Sequence, residues 1–320
     1  MNIKQCIQSL RNKIKRTWVR NKAVQIEHFL ESRNNPINLI PYFIRLHLQK
    51  KISLKNMRLG VAYNLFDGEE LLEYSIKSIR NNVDFICVVW QKTSYHGESC
   101  NPKLESFLNG LVESGLIDEI YLYEPNDENT GGEISSFKRN IGLELCKKNN
   151  CNYHMSMDTD EFYTDEQFNF MKKEMIRGNY GTGYCRQIQY YKDAIYQLKC
   201  SERNYVTTIE KIMPDTKYVY KIACAIDVSP ERKTNNSKNG LPYRIFKRYE
   251  CEMHHMSFIR KDIAKKVRNS SLDEAFGEER GNIVSHYYQN WKYPEKCMWM
   301  GENLLDVVKV PRQFEIYKVD

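Results

Sequence analysis

The sequence lacks several features that would place it in a membrane or outside the cell. It has no apolar run near the ~20 residues that cross a bilayer, and no apolar signal segment at its N-terminus. Its ten cysteines are scattered and form no CxxC pair, and Cys87 lies in an apolar run where a thiol acts as a small hydrophobic side chain. These absences favour a reduced, cytoplasmic chain over a disulfide-linked secreted protein.

The body of the chain also lacks an excess of positive charge. Residues 1–58 hold 13 basic and 2 acidic side chains, whereas the remainder holds 35 basic and 39 acidic ones. A nucleic-acid-binding domain would spread basic residues over a folded face. The charge distribution therefore predicts no nucleic-acid partner and assigns the basic character to the N-terminus.

The basic N-terminus has the pattern of an amphipathic helix over residues 3–30. Ile3, Ile7, Leu10, Ile14 and Trp18 recur at spacings of three and four, and Lys and Arg occupy the other faces. Such a helix can lie on the anionic inner face of a membrane, which makes peripheral contact through residues 1–30 one hypothesis. The alternative is a helix packed on the main domain or on a partner.

Strand and helix patterns alternate from Met57 onward, which predicts an α/β fold with a largely parallel sheet. In such sheets ligands bind beyond the carboxyl ends of the strands, so the loops after Tyr63, Trp90, Tyr123 and Met157 are expected at one edge. After about residue 178 the pattern favours tyrosine-rich antiparallel strands. The predicted strands are 58–63, 84–90, 117–123 and 152–157, and the predicted helices are 69–79, 101–114, 136–148 and 261–268.

The fourth predicted strand ends in three carboxylates within four positions. Asp158, Asp160 and Glu161 would repel one another and raise one another's pKa, so a cation is expected beside them. A hard divalent ion with oxygen ligands, Mn²⁺ or Mg²⁺, is the natural candidate. The alternative is a solvated acidic turn before the next helix, which Thr164 and Gln167 open as a capping box.

Two cations stand where the sequence predicts the first turn of a helix capped by Ser136. Lys138 and Arg139 would oppose the helix macrodipole there, and a bound diphosphate would reverse the sign of that interaction. The alternative is an ordinary surface pair, or pairing with Glu133.

Adjacent histidines on a predicted strand provide one candidate imidazole ligand for the same ion. His254 and His255 face opposite sides of a strand, so at most one of them reaches a given metal, and His255 is preferred. Arg260 and Lys261 follow as candidate phosphate contacts.

Taken in order, these segments resemble the GT-A fold of glycosyltransferases, and specifically the bacterial family 2-like enzymes. The resemblance covers about residues 57–270. Its motifs are residues 61–64 (VAYN), 138–142 (KRNIG), 157–162 (MDTDEF), the pair His254 and His255, and the pair Arg260 and Lys261.

The resemblance implies a metal-dependent nucleotide-sugar site. Asp160 would bind Mn²⁺ or Mg²⁺ directly, and Asp158 would contact the ribose, or the metal through water. Tyr63, Asn64 and Gln91 would contact the nucleoside. The tyrosine-rich segment with Tyr190, Tyr191 and Tyr196 would face the acceptor, with half-buried strand packing as the alternative.

By the same resemblance, the substrate is a nucleoside-diphosphate sugar, with a UDP-sugar favoured, and the acceptor is a saccharide or lipid-linked saccharide. The implied context is assembly of a surface polysaccharide or lipopolysaccharide. The chain would divide into a basic helical extension (1–56), a nucleotide-sugar-binding half (57–183), an acceptor and metal-completing half (184–290) and a C-terminal tail (291–320).

The sequence departs from this family at the catalytic base. The acidic motif that deprotonates the acceptor hydroxyl in inverting members is not recognisable. Asp227 is the preferred candidate because it precedes a long loop, and Asp193 and Glu274 are the others. Inversion or retention of the sugar's configuration stays open.

Two other functions remain as alternatives. One is a non-catalytic sugar- or nucleotide-binding module on a degenerate transferase fold. The other is a phosphatase of the haloacid dehalogenase type, which also places DxD after a strand. That chemistry requires a small or hydroxyl-bearing residue two positions beyond the second aspartate, where this chain has Phe162.

Overall fold

A computed structural model describes residues 36–94, 96–124, 131–199, 205–224, 226–238, 240–269, 278–299 and 303–319. The predicted helix 3–30 lies outside these residues. Among the residues described, no helix is both long and apolar enough to cross a membrane.

The first half of the chain forms a parallel sheet covered by helices. Its strands lie in the order β3-β2-β1-β4, and every neighbouring pair is parallel. This confirms the α/β class and the parallel arrangement expected from the strand–helix alternation. The elements are α1 (Pro36–Gln49), β1 (Leu59–Leu65), α2 (Glu69–Ile79), β2 (Phe85–Trp90), α3 (Leu104–Glu113), β3 (Glu119–Leu122), α4 (Gly131–Lys148) and β4 (Tyr153–Asp158).

The second half extends the same sheet with mixed pairing. Strand β8 runs antiparallel to both β4 and β6, and the β6–β7 pair is antiparallel as well, as expected for this region. Strands β9 and β10, in contrast, pair with β6 in parallel. The elements are β5 (Glu161–Phe162), α5 (Asp165–Gly178), β6 (Thr182–Tyr191), β7 (Asp193–Leu198), β8 (Tyr205–Lys211), β9 (Tyr243–Ile245), β10 (Glu252–Phe258), α6 (Ile263–Arg268), α7 (Glu278–Asn290), β11 (Cys297–Trp299), β12 (Asn303–Leu305) and β13 (Val307–Lys309).

The expected boundaries between parts of the chain do not coincide with breaks in this sheet. The division between 183 and 184 falls inside β6, which pairs with strands from both sides of that division. The residues expected as a C-terminal tail include β13, which pairs with β7, and the buried side chains of Phe314 and Ile316. Residues 307–316 therefore belong to the folded body.

Helix α4 begins earlier than the sequence predicted. It starts by Gly131, and Ser136, the expected cap, is a buried residue within it. Lys138 and Arg139 consequently lie about two turns inside the helix. The expected first-turn placement of these cations is wrong, and the helix macrodipole no longer explains their presence.

A glycine lets α4 lie directly against β1. A Cβ atom on Gly142 would stand 2.4 Å from the Cβ of Ala62, closer than packed carbon atoms approach. The backbone of α4 at Gly142 therefore packs directly against Ala62 of β1. This close packing fixes the position of Arg139, one turn before Gly142, relative to the end of β4.

A buried carboxyl group lies on β8, beside the parallel half. Glu210 accepts hydrogen bonds from the hydroxyl groups of Tyr218 (3.1 Å), Thr182 (3.5 Å) and Thr234. Burial raises the pKa of Glu210 to about 7, because its three hydrogen bonds offset only part of the loss of hydration. The protonated form is therefore favoured in the folded protein.

We expect Glu210 to make stability fall as pH rises. Its pKa is about 7 in the folded state and near 4.5 when unfolded, so the contribution is full below pH 4.5 and lost between pH 4.5 and 7. The change is on the order of 3 kcal/mol at most. Glu210→Gln keeps an acceptor oxygen and should flatten the Tm–pH curve relative to wild type over this range. Parallel curves for the two proteins would contradict the assignment.

Candidate functional site

The carboxyl ends of the parallel strands meet at one edge, as the sequence predicted. Asn64 near the end of β1 is in register with Asp158 at the end of β4 and with Val89 of β2, and Trp90 is in register with Leu122 of β3. The loops after these strands therefore line a common edge. The carboxylates of the DxD segment lie at the centre of it.

Asp158 is held by two arginines from different elements. Its Oδ1 lies 3.1 Å from Nη2 of Arg139 on α4, and its Oδ2 lies 2.5 Å from Nη2 of Arg232, which follows Ser229 in a short 3₁₀ helix. Burial would raise the pKa of Asp158, but Arg232 and Arg139 lower it to about 2. The Asp158 side chain keeps 38% of its surface exposed, so a charged carboxylate faces solvent at this edge.

Asp160 is buried among three cationic side chains. Its Oδ2 accepts hydrogen bonds from Nη2 of Arg260 (2.7 Å) and from Nζ of Lys266 (3.1 Å), and its Oδ1 lies 3.4 Å from Nε2 of His255. Burial opposes ionisation, yet Lys266, His255 and Arg260 together hold the pKa of Asp160 well below its usual range. Asp160 is therefore ionised and charge-balanced.

Glu161, the third carboxylate, completes a bridge through Arg232. Both of its side-chain oxygens accept from Arg232, the longer contact being 3.3 Å to Nη1, and Oε2 also accepts from the backbone N–H of Asp158 at 3.2 Å. Burial raises the pKa of Glu161 despite the arginine. Arg232 thus joins Asp158 and Glu161 with one planar guanidinium.

Arg260 is enclosed by the loop that follows β1. Gly68 in this loop has φ 87°, a left-handed conformation that favours glycine, and a Cβ on it would lie 1.8 Å from Nη1 of Arg260. Glu70 on α2 stands 3.9 Å from the same guanidinium. The first strand's loop is therefore folded over the arginine that balances Asp160.

The donor atoms of the DxD segment suit a divalent ion in type, but their present arrangement does not fit one. Asp158, Asp160 and His255 offer oxygen and imidazole ligands of the kind that Mn²⁺ accepts. Both carboxylate groups, however, are engaged by Arg139, Arg232, Arg260 and Lys266. Within the described part of the chain, no three His, Cys, Asp or Glu side chains are grouped so that they could hold a metal.

The two histidines have separate environments. His255 faces Asp160, as preferred from the sequence, and its side chain is 23% exposed. His254 is buried on the other side of β10, where its Nδ1 lies 2.9 Å from the hydroxyl of Tyr190 and its ring contacts Phe314. His254 is thus a packed core residue, and the metal role that the sequence left open for it does not fit its position.

The residues expected to contact the nucleoside divide into core and edge positions. Tyr63 is fully buried with its hydroxyl 2.9 Å from Oγ of Ser75, so a donor contact through its side chain is ruled out. Asn64 is half-buried, and both polar atoms of its amide are buried with no partner among the described residues. Gln91 donates to the carbonyl of Thr93 (2.8 Å) and has a buried, unpaired Oε1. Gln91, however, is 0% exposed like Tyr63, so Asn64 is the one of these three side chains that lies at the edge.

The basic residues expected to bind phosphate also separate. Lys138 is buried and donates from Nζ to the carbonyl of Leu65 (3.1 Å), and burial lowers the pKa of this amine to about 7. Lys261 is exposed and lies over the ring of Tyr317, 5.2 Å from its centroid, instead of facing Asp160. The expected phosphate contact of Lys261 is therefore not supported, whereas Arg139 and Arg260 do reach the acidic cluster.

The tyrosines expected to face an acceptor mostly fill the core. Tyr190 and Tyr191 are at most 1% exposed. Tyr196 is half-buried and packs on Trp291 and Tyr293, with ring centroids 5.2 and 5.4 Å away. The acceptor-facing role of Tyr190 and Tyr191 is wrong, and the packing alternative describes them, because strand β6 is covered on both faces.

Of the three candidate catalytic bases, the two in the described part of the chain make no contact with the acidic cluster. Asp193, the first residue of β7, is paired with Arg312 at 2.6 Å. Asp227 has an exposed side chain, and its carbonyl accepts from the backbone N–H of Tyr205. Glu274 lies outside the described residues. The geometry thus assigns none of them as the base.

Arg232 and Lys266 are the site residues that sequence reasoning missed. Arg232 lies in a segment that reads as a long loop between Ser229 and Gly240, with no periodic pattern to place it. Lys266 lies on the predicted helix after the histidines. Several basic residues occur there, and the sequence does not distinguish Lys266 from the others. The available signal was the charge of the motif, because three clustered carboxylates require cations from elsewhere in the chain.

Comparisons with known proteins give only distant resemblance. No protein-family model and no curated protein matches the chain. Among solved structures, the chain is similar to S. aureus TarS 1-349, at 11% identity and a TM-score of 0.43 over 71% of this chain and 70% of that one. The complex of TarS 1-349 with UDP-GlcNAc gives 12% identity and a TM-score of 0.42, over 73% and 72%. Against a longer TarS structure the TM-score is 0.41, and this chain spans 43% of its length.

Replacing Asp160 should destabilise the fold, because the residue is buried and not on an exposed rim. Asp160→Ala leaves Arg260 in the interior without its hydrogen-bonded carboxylate, and removing one partner of a buried ion pair costs about 3–5 kcal/mol. Urea unfolding measures the loss. Asp227→Ala, an exposed aspartate, is the control and should change the free energy of unfolding by less than about 0.5 kcal/mol. Equal stabilities for the two variants would show that the pair is not needed.

Proposed function

We propose that this protein is a glycosyltransferase that takes its sugar from a nucleoside-diphosphate sugar. The observation that carries the proposal is a solvent-facing, ionised Asp158 at the carboxyl edge of a parallel sheet, held by Arg139 and Arg232, with Lys266 bound to the neighbouring Asp160. Ligands of such sheets bind at this edge. Clustered cations meet the two negative charges of a diphosphate, and a carboxylate is suited to the hydroxyl groups of a ribose.

The residues around this cluster supply the remaining contacts that a nucleotide needs. The amide of Asn64, half-buried near the end of β1, has no partner among the described residues and offers hydrogen bonds to a base or ribose. A buried polar group without a partner costs free energy, which a bound ligand would recover. A nucleoside at the ends of β1 and β2 would place its diphosphate beside Asp158.

Transfer from such a donor requires stabilisation of the leaving nucleoside diphosphate. Preorganised cations supply this, because they are already held by protein carboxylates and need not reorganise as charge develops. The saccharide or lipid-linked acceptor, the preference for a UDP-sugar and the context of polysaccharide or lipopolysaccharide assembly rest on the motif resemblance alone. No base is assigned to the acceptor hydroxyl.

The alternatives make different chemical demands. A phosphatase of the DxD type needs a small residue where Phe162 stands, and Phe162 is fully buried against Phe314. A non-catalytic module would bind a nucleotide without turning over its sugar ester. Release of nucleoside diphosphate from a nucleotide sugar in the presence of acceptor, or slowly in water, separates the transferase from the module.

Nucleotide binding tests the proposed function directly. We expect one of UDP, GDP, CDP or dTDP at millimolar concentration to raise the Tm, since a ligand that binds only the folded state stabilises it by mass action. The corresponding nucleoside without phosphates is the control, and it should give a smaller shift. The absence of any shift with all four nucleotides would contradict the proposal.

Peripheral membrane contact through the basic N-terminus is a second part of this proposal. Ile40, Phe43, Ile44 and Leu48 form a stripe along α1, and each is more than half exposed, whereas Tyr42 and Gln49 pack inward. Residues 36–58 carry five basic and no acidic side chains. An apolar stripe beside positive charge is complementary to an anionic bilayer.

Vesicle binding tests this contact. Co-sedimentation with phosphatidylserine vesicles should fall by about tenfold in the double variant Phe43→Glu, Ile44→Glu, because charged groups replace the inserted side chains. Leu304→Glu, at an exposed apolar position on β12, is the matched control and should bind as wild type does. Unchanged binding by the double variant would assign the stripe to another partner.

A further inference from the structure

The acidic cluster at the sheet edge is already balanced by protein charge. The carboxylates of Asp158, Asp160 and Glu161 contact four basic side chains, three arginines and one lysine. These are Arg139, Arg232, Arg260 and Lys266. A divalent ion entering here would meet a cluster with no net negative charge.

Freeing the carboxylates for a metal would also leave buried cations unpaired. The side chain of Arg260 is 2% exposed and its Nη2 is bound to Asp160, while Nε and Nη1 have no hydrogen-bond partner among the described residues. Gly68 and the β1 loop close over it, so the guanidinium has no path to solvent at that side. Losing the Asp160 contact would leave Glu70, 3.9 Å away, as the carboxylate nearest to this buried charge and would remove the hydrogen bond that offsets its desolvation.

Lys266 differs from the arginines in its exposure. Its side chain is 29% exposed, compared with 2% for Arg139, 9% for Arg232 and 2% for Arg260. It reaches Asp160 from helix α6 with one of its three N–H donors at 3.1 Å. An ammonium group on a flexible stem can keep this contact and turn its other donors toward a phosphate.

We propose that Lys266 performs the charge-stabilising role expected of a divalent ion, and that donor binding and transfer proceed without metal. Asp160, held by Arg260 and His255, positions the Lys266 ammonium at the sheet edge, two residues along the chain from Asp158. This inference rests on the proposed function, since it names the group that contacts the donor diphosphate of that same site.

The transfer step is balanced without a metal. The bond between the anomeric carbon and the diphosphate oxygen breaks, and its electron pair stays on the nucleoside diphosphate. The acceptor hydroxyl oxygen forms the new bond to the anomeric carbon, and its proton is released to water. The Lys266 side chain faces the leaving oxygen and offsets the charge that develops on it.

The experiment measures nucleotide affinity with and without metal in the full-length chain. Isothermal titration with the nucleoside diphosphate that raises the Tm is run in EDTA and in Mn²⁺, with wild type, Lys266→Ala, Lys266→Arg and Arg268→Ala. Arg268 is an exposed cation on the same helix that contacts Glu98 at 3.5 Å, so its variant removes equal charge away from Asp160. Electron paramagnetic resonance of Mn²⁺ alone reports direct metal binding.

We expect wild type to bind equally in EDTA and in Mn²⁺. Lys266→Ala should weaken binding by about tenfold or more, Lys266→Arg should restore most of it, and Arg268→Ala should match wild type. Binding lost in EDTA and regained with Mn²⁺, or a Mn²⁺ signal broadened by the protein alone, would overturn the metal-free site and leave the proposed function standing. A chain that binds no nucleotide under either condition overturns both. Equal affinities of Lys266→Ala and Arg268→Ala would overturn the role of Lys266.

Discussion

The arrangement of the site depends on the buried pair between Asp160 and Arg260. The two residues are 100 positions apart, one directly after β4 and the other directly after β10, and their side chains meet at 2.7 Å with almost no exposure. A buried charge is tolerated only when it is paired, so each residue requires the other to be in place. The pair therefore fixes the end of β10 against the parallel half. The β1 loop can then close over Arg260 only because residue 68 is a glycine.

The same constraint explains why the cations come from three separate parts of the chain. Among the described residues of the parallel half, Arg139 is the arginine that contacts the carboxylates of the DxD segment, through Asp158. Arg232 from the loop after β8, and Arg260 and Lys266 after β10, supply the missing charge. Mutual repulsion among three carboxylates is relieved only when the later segments have packed. The acidic motif thus makes the second half of the chain part of the site.

Much of the fold was predictable because a buried strand has a simple sequence pattern. Strands β1, β2 and β4 are covered on both faces and read as short apolar runs, and helices between them carry a 3.6-residue period. The position of the DxD segment at the sheet edge followed from that alternation alone. The start of α4 was missed, because Ser136 is a good cap residue in isolation whereas its burial in the helix interior is a tertiary effect.

The rest of the site could not be predicted from local pattern. The tyrosines of β6 suit a solvent-facing aromatic surface as well as a core, and only the covering of both faces by other elements decides between these roles. The choice between the two histidines depended on the register of β10 with β5, which pairs His255 with Glu161 and His254 with Phe162. Arg232 has no pattern at all, since the short 3₁₀ helix that carries it is specified by contacts with Asp158 and Glu161 that are distant in sequence.

The division between arginine and lysine within the cluster follows from the properties of the two side chains. The buried positions hold Arg139, Arg232 and Arg260, whose guanidinium groups are weakly hydrated and cost less to remove from water than an ammonium. A planar fork also lets Arg232 contact two carboxylates at once, which a point charge on a single nitrogen does less well. The exposed position holds Lys266, whose compact charge stays hydrated and whose stem can follow a ligand. The arginines thus serve to fix the carboxylates, and the lysine is the cation in the cluster that is free to change partners.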